Sequence, residues 1–506
     1  MDSTRATALL LGILFHTVWT YMPVYARAPI IDVSGNVFWS YFFYTSHIFR
    51  MHLFFLIAGF FGAMLIGRYG RSGFIKHRLV RLGVPLLVFF ILLKPLFALT
   101  WALGADHSGA YVGPETAVSE AWVEIVSGQI WIDGGLTHLW FLYYLLLICL
   151  LGTVLCPVIG RVAGKFPGDL SKVDRFLELA FTRFWGVLVL ALPVGILLYL
   201  DGNPFGTSTP GAKIDVLVLA IYGFFYAVGW VIHRQAHQVS TLFSGWRWRL
   251  PIGLLLSMGL FVCFAFANKP LIRDWPLLRS EMAKAVEGRQ KDPVILEVFS
   301  FVPDKFHDYL TEGKTEYENL NQKEAVIASI DRALHAEEPK RIDPDKGRID
   351  PDKKERQWRN YFKNRRQLSK EAPELFGPPQ RFQKTGAEKW MAFAYFYGYA
   401  VCLWLFVIGT LSFFQRFCNR HSPVWRYLSE SSYWVYILHM PLIPLLQVAT
   451  GLWPVSSLIK IPLVVGTGLL ICLLSYHYLV RSTFVGVMLN GRKHPFTPNP
   501  LTAMKG

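Results

Sequence analysis

An arginine and a histidine near the amino terminus have the residue types and the spacing for chemistry on an anionic ligand. Arg5 and His16 are eleven positions apart in an apolar run. On a helix that spacing puts both side chains on one face to within about 20°, roughly 16 Å apart along the axis. An arginine fork suits phosphates, and a histidine suits proton transfer. A plainer interpretation stays open, in which His16 bonds a neighbouring helix and Arg5 only anchors the chain.

Other polar side chains lie in or beside apolar runs, where such groups are costly and therefore candidates for function. His439 lies in the middle of one run, so with His16 it predicts a polar interior. Lys94 precedes Pro95. Bonding to carbonyls that the proline frees, or reaching the membrane surface, explains this lysine at least as well as a role in catalysis. His52 is close enough to an interface to be ordinary. The remaining candidates are Arg50, His138 and Trp140.

The chain that positions these groups has the composition of a membrane protein. Of its 506 residues, 53% are hydrophobic and only 17% are charged, which argues against a soluble enzyme and a disordered chain. Runs long enough to span a bilayer predict an all-α fold, a polytopic integral membrane protein with about ten transmembrane helices and one extracytoplasmic insertion. The runs are 6–25, 47–67, 82–104, 138–158, 185–200, 214–231, 250–267, 391–413, 431–449 and 462–480.

Loop charge predicts the orientation of these spans. Loop 68–81 has five Lys or Arg residues and no acid, whereas loop 105–137 has five acids and no Lys or Arg. Every second loop is basic, which places those loops and both termini in the cytoplasm. The net charge of +16 is therefore an orientation signal and no indication of nucleic acid. A cleaved signal peptide ending near Ala28 is the alternative for the first run, but Pro29 disfavours cleavage there.

A charged block separates the seventh and eighth runs. Residues 268–390 contain a predicted amphipathic helix at 319–338 and a repeated RIDPDK, at 341 and at 348, that predicts a loop. We interpret the block as a solvated cap or arm, with a domain that grips an external glycan as the alternative. The predicted division is a transmembrane core at 1–267, the insertion, a second core part at 391–482 and a cytoplasmic tail at 483–506.

Motifs for other chemistries are missing from the sequence. It contains no Walker loop, HExxH, GxSxG or dinucleotide fingerprint, and its six cysteines form no CxxC pair, so no metal is expected. A proton-coupled transporter or flippase for a sugar-containing substrate stays open, because intramembrane His and Lys can relay protons. So does a structural or sensing subunit that recruits a partner through the insertion.

Three segments within residues 2–87 resemble membrane acyltransferase family 3. The start, DSTRATALLLGILFH, has the family's spacing between Arg5 and His16. FRMHLFFLIAGFF is similar to its FF-x-x-SG-[FY] segment, with Ala58 in place of the serine. KHRLVRLGVPLL resembles its Arg-x-x-Arg segment, with Arg78 and Arg81.

Two later segments complete the resemblance. HLWFLYYLL at 138–146 and LSESSYWVYILHMPL at 428–442 follow in the family's order. They and the FRM residues are similar to the glucan biosynthesis protein C branch, whose members are implicated in succinylating periplasmic glucans in Gram-negative bacteria. The insertion at 268–390 has no counterpart in this resemblance.

The resemblance implies an enzyme of the bacterial inner membrane that moves an acyl group outward. The donor would be cytoplasmic acyl-CoA, either succinyl-CoA or acetyl-CoA, and the acceptor a hydroxyl of an extracytoplasmic glycan such as periplasmic glucan. His16 would act as general base or transient acyl carrier, with His439 as a second catalytic residue. The CoA phosphates would be bound by Arg5, Arg78 and Arg81, and the acceptor or developing oxyanion by Arg50, His138 and Trp140.

Overall fold

The structure is a computed structural model that describes most of the apolar part of the chain. It covers residues 2–22, 34, 36–107, 116–133, 135–165, 170–203, 207, 213–236, 242–267, 386–418, 422–451, 453 and 455–491. The predicted helix at 319–338, the RIDPDK repeat and the end of the tail lie outside these residues. The side chain of Arg5 also lies outside the description.

The described residues form helices and no strands, as the sequence predicts. Within its described residues each of the ten apolar runs is helical apart from residues at its ends, although the run 47–67 is only the middle of the longer helix α2. The helices are α1 Asp2–Val18, α2 Val37–Arg78, α3 Val84–His107, α4 Ala117–Val126, α5 Gln129–Asp133, α6 Trp140–Lys165, α7 Leu170–Thr182, α8 Gly186–Asp201, α9 Val216–Arg234, α10 Trp246–Ala267, α11 Gly386–Phe417, α12 Pro423–Thr450, α13 Ser457–Ser475 and α14 Phe484–Asn490.

Several of these helices are built to cross a membrane. Within the described residues seven stretches have the length and hydropathy of a span, or eight if α7 and α8, bent by 102°, count as one. The stretch from α1 into the following turn, Leu10–Tyr21, is apolar but shorter. Large apolar side chains on the helix surfaces are exposed, which is the arrangement that lipid requires. The chain is therefore a multi-pass membrane protein, and the count of ten spans stays a prediction.

One of the seven stretches holds two of the predicted runs. Val37–Gly104 is 68 residues long, which is about 100 Å of helix against a hydrocarbon core of about 30 Å. Gly70 interrupts it with φ 67° and ψ −179°, a conformation open to glycine but not to other residues. The basic segment 68–81 therefore begins at a sharp change of backbone direction.

Close backbone contact joins α2 to α9. A Cβ atom on Gly59 of α2 would lie 1.9 Å from the Tyr226 carbonyl oxygen. A Cβ atom on Gly229 of α9 would lie 1.9 Å from the Leu56 carbonyl oxygen. Small residues at these facing positions allow the two helices to pack closely, as is usual in membrane bundles.

Helix α1 is held between α2 and α12. On the α2 side, Phe15 stacks on Phe43 with ring centroids 4.0 Å apart. On the α12 side, the Gln447 amide donates to the Thr17 carbonyl at 2.7 Å and to the Thr20 hydroxyl at 2.8 Å. These contacts fix the rotation of α1 and hence the direction in which His16 points.

The chain divides into two compact units, of which the larger holds every predicted site residue. It consists of residues 1–101, 125–262 and 384–506. In the described part of the smaller unit, the Asp106 carboxylate accepts from the backbone N–H groups of Ala117 and Val118 at 2.6 and 3.0 Å. These bonds satisfy free donors at the start of α4. The predicted boundaries at 267, 390 and 482 stay predictions.

Candidate active site

Three histidines from three different helical segments lie in a row inside the larger unit. The rings of His16 and His439 have centroids 5.2 Å apart, and those of His439 and His138 are 5.8 Å apart. His439 and His138 are buried, whereas His16 is partly exposed. The structure thus brings together the two histidines predicted as catalytic and one predicted to bind the acceptor, with His16 at the accessible end.

Hydrogen bonds define which nitrogen of His439 is available. Its Nδ1 lies 3.0 Å from the Val435 carbonyl oxygen and 2.8 Å from that of Tyr436. Two acceptors at Nδ1 place the proton of the neutral ring there. Nε2 is left as a proton acceptor, and it is buried without a hydrogen-bond partner among the described residues. Nδ1 of His16 is also buried without a hydrogen-bond partner among the described residues.

A proline in α12 explains why His138 lies beside this pair. Pro441 has no N–H, so it leaves the carbonyl of Ile437 without its helical donor. His138 Nε2 lies 3.2 Å from that carbonyl oxygen and donates to it. The Tyr436 hydroxyl in turn donates to the His138 carbonyl.

The backbone before His138 is strained. Thr137 has a φ of 49°, which is rare for a β-branched residue. No other non-glycine residue in the described part of the chain has a positive φ. Strain of this kind persists only where surrounding contacts hold it. The hydrogen bonds between His138 and Ile437 and between Tyr436 and His138 are such contacts. They fix the segment that leads into α6 against α12.

Helix α2 adds a buried cation to the histidine row. Phe43, His47 and Arg50 are spaced to share the face of α2 that meets α1. The guanidinium carbon of Arg50 lies 3.7 Å from the centroid of the Phe15 ring. Its Nη1 is 4.0 Å from the position of a Cβ on Gly12, one turn before His16. Arg50 therefore lies against the same stretch of α1 that carries His16.

Arg50 has no anionic partner in the described part of the protein. The side chain is 7% exposed, and Nη1 is buried without a hydrogen-bond acceptor. No described carboxylate forms an ion pair with it. An uncompensated buried cation is costly. The position is therefore suited to an anion that arrives with a substrate.

A second polar cluster lies on the other side of Arg50. Tyr222 interacts electrostatically with Arg50, and its ring stacks on that of Trp140 at a centroid distance of 5.6 Å. His52 Nε2 lies 3.0 Å from the Thr207 hydroxyl and its ring is 5.3 Å from Tyr222. Trp140 thus belongs to an aromatic cluster that includes Tyr222, the neighbour of Arg50.

The predicted phosphate-binding arginines have other contacts. Arg78 is buried over Phe74 at 5.0 Å. Arg81 is half-buried, and it donates from Nη1 to the Leu489 carbonyl in α14. Arg5 lies on α1, and its side chain is outside the described part of the structure, so the shared face with His16 stays a prediction. A role for these three residues with CoA stays a prediction.

Sequence reasoning missed several members of the site. Tyr222 and Phe15 look like ordinary apolar-run aromatics, and only the packed helices show them beside Arg50. His52 is buried, although its position in the sequence predicts an interfacial residue. Pro441 is the signal that could have linked His138 to α12 before the structure. Lys94 is buried, with its Nζ 4.6 Å from the centroid of the Phe90 ring.

Comparison with known proteins identifies the family. Three neighbouring histidines and a buried arginine lie together within a helical membrane bundle. The family described as "Acyltransferase domain" matches residues 1–283. This is more than half of the chain, so the chain belongs to this acyltransferase family. No solved structure matches it.

Individual relatives agree with this assignment. Over 198 residues the chain is 31% identical to Glucans biosynthesis protein C from Escherichia coli strain K12 and to the protein of the same name from Escherichia coli O6:K15:H31. The match covers 38% of this chain and 46% of each relative. The chain therefore matches less than half the length of these relatives, and the likeness to the glucan biosynthesis branch is confirmed only at that extent.

Proposed function

We propose that the protein is a membrane O-acyltransferase that moves an acyl group from cytoplasmic acyl-CoA to a hydroxyl of an extracytoplasmic glycan, with periplasmic glucan as the expected acceptor. The row of His16, His439 and His138 beside Arg50 carries this proposal. The histidines supply a proton acceptor for the attacking hydroxyl, and Arg50 supplies a cation that can bind an anionic acyl group at the same place in the bundle. Membership of the acyltransferase family supports the reaction class.

In the proposed step, His16 takes the proton of the acceptor hydroxyl. The oxygen then attacks the thioester carbonyl carbon, the C–S bond breaks, and the CoA thiolate leaves with the proton that His16 has gained. His439 stabilises the charged form of His16 through its unpartnered Nε2. His138 holds the α12 backbone that orients His439. His16 is the least buried residue of the row, which suits direct contact with substrate.

Arg50 favours one acyl group over the other. A succinyl group ends in a carboxylate, whereas an acetyl group has none. A buried, unpaired guanidinium binds a carboxylate strongly because both charges are removed from water together. We therefore propose succinyl-CoA as the preferred donor, with its terminal carboxylate on Arg50.

The experiment that tests the function measures CoA release by the purified protein in liposomes, with acyl-CoA and glucan supplied. We expect His16→Ala to lower the rate by roughly 100-fold or more, the usual contribution of a positioned general base. His233→Ala serves as a control, since that histidine packs on Phe60 away from the row. Wild-type turnover by His16→Ala would exclude the mechanism. Proton-driven solute uptake without CoA release would favour a transporter instead.

A further inference from the structure

A stacked aromatic pair marks the basic segment between the runs 47–67 and 82–104. The rings of Tyr69 and His77 are nearly parallel, with an interplanar angle of 18° and centroids 5.8 Å apart. Eight residues of straight helix would separate them by about 12 Å along the axis. The break at Gly70 brings them together. The pair is therefore a product of the backbone kink and not of helical repetition.

Cationic groups surround this pair. The Arg68 guanidinium lies over the Tyr69 ring at 5.4 Å. Arg81 interacts electrostatically with Tyr69 and with His77. The carbonyl of Leu489 holds one nitrogen of Arg81, which fixes the direction of the remaining guanidinium N–H groups.

The tyrosine of this pair is accessible, while His77 is part-buried. Tyr69 is 47% exposed, and residues 67–72 around it are exposed as a group. Loop charge predicts that this segment faces the cytoplasm. A large exposed aromatic side chain flanked by arginines on that side is unexplained by packing.

We propose that the Tyr69–His77 pair, with Arg68 and Arg81, binds the adenine nucleotide portion of the acyl donor. A purine ring extends the aromatic stack, and the arginines bind its phosphates. Stacking on aromatic rings and arginine forks toward phosphate are the two interactions that nucleotide sites combine. The inference rests on the proposed use of acyl-CoA. It adds a binding site some distance from the reaction centre, where the nucleotide contributes affinity and takes no part in the chemistry.

Two thioester substrates distinguish a defect at this nucleotide site from a defect at the reaction centre. Acyl-CoA carries the nucleotide, whereas the acyl-pantetheine thioester lacks it. We expect Tyr69→Ala and His77→Ala to raise KM for acyl-CoA roughly 5- to 100-fold, with kcat nearly unchanged, because the lost contact is made equally in the ground and transition states. Turnover of acyl-pantetheine should equal that of the wild type, which also shows that the variants fold. Tyr69→Phe should keep the wild-type KM.

A binding measurement gives an answer that does not depend on turnover. Labelled adenosine 3′,5′-bisphosphate, the nucleotide half of CoA, should bind the wild-type protein and the control Tyr478→Ala, which removes another exposed tyrosine. It should bind Tyr69→Ala at least fivefold more weakly. Equal binding by Tyr69→Ala and wild type would overturn the site. Loss of binding in Arg68→Ala together with full binding by Tyr69→Ala would overturn it as well, because that pair of results would indicate a charge-only surface of the kind that anionic lipid headgroups occupy.

Failure of this inference is distinguishable from failure of the proposed function. If both thioesters are consumed and the aromatic variants have no effect on either, the function stands and the nucleotide site is wrong. If neither thioester is consumed by the wild type, the acyltransferase proposal itself is wrong.

Discussion

At the residue scale, the site is defined by polar atoms that the protein leaves unpartnered. Nδ1 of His16, Nε2 of His439 and Nη1 of Arg50 are buried, and none has a hydrogen-bond partner within the described residues. A protein that only needed stability would not keep three such atoms together, since each costs free energy when it is left unpaired. Their convergence is best explained by a substrate that supplies the missing partners.

The charge of Arg50 should determine which donor is used. Succinyl-CoA and butyryl-CoA have acyl groups of similar length, but only the first carries a terminal carboxylate. We expect Arg50→Met to lower the ratio of kcat/KM for succinyl-CoA over butyryl-CoA by roughly 10- to 100-fold, the contribution of a charge-assisted hydrogen bond. Arg50→Lys should retain part of the preference. The measurement is CoA release with each donor.

A different role for Arg50 would give a different result in the same measurement. If Arg50 instead stabilised the oxyanion of the thioester carbonyl, Arg50→Met would slow both donors by the same factor. An unchanged donor ratio would therefore contradict the assignment of the terminal carboxylate to Arg50, while it would leave Arg50 in the reaction site.

At the element scale, backbone features position these residues. Pro441 frees a carbonyl that orients His138, and the glycines of α2 and α9 allow the close packing that sets the position of Arg50. Arg50 and Gly59 lie on the same helix, so a change in the packing of α2 on α9 would also change the position of the guanidinium relative to Phe15. The helix interfaces are therefore part of the site.

Two glycines of α9 provide a matched test of this packing. A Cβ on Gly229 would collide with the Leu56 carbonyl, whereas a Cβ on Gly223 would meet nothing within 4 Å. We expect Gly229→Ala to cost about 1–3 kcal/mol of stability through overpacking, which thermal unfolding in detergent would show as a melting temperature several degrees lower. Gly223→Ala should melt at or above the wild-type temperature. Equal melting temperatures for the two variants would refute the close contact.

The elements were predictable from the sequence, but their assembly was not. Apolar runs predict where helices lie because the bilayer demands continuous apolar length, and the structure places helices at those runs. His16 and His439 were identified because an ionisable group in such a run is unusual. Their mutual distance, the stack of Trp140 on Tyr222 and the burial of His52 depend on helix rotation and packing. A single sequence does not encode these in any local pattern.

At the scale of the whole molecule, the proposal requires an oriented reaction across a membrane. The basic loops predict a cytoplasmic face that attracts an anionic donor, and the acidic loop 105–137 predicts the opposite face. The histidine row is approached from His16, the accessible member. Donor and acceptor would then reach one site from opposite sides, which a soluble acyltransferase would not need.

The most direct test of this account is sided transfer in inside-out membrane vesicles, with glucan trapped in the lumen and labelled succinyl-CoA added to the exposed cytoplasmic face. The account predicts succinylated glucan in the lumen and CoA in the outer solution, and loss of both products in His16→Ala. Label on the glucan only when the donor is supplied at the luminal face, or undiminished transfer by His16→Ala, would contradict it.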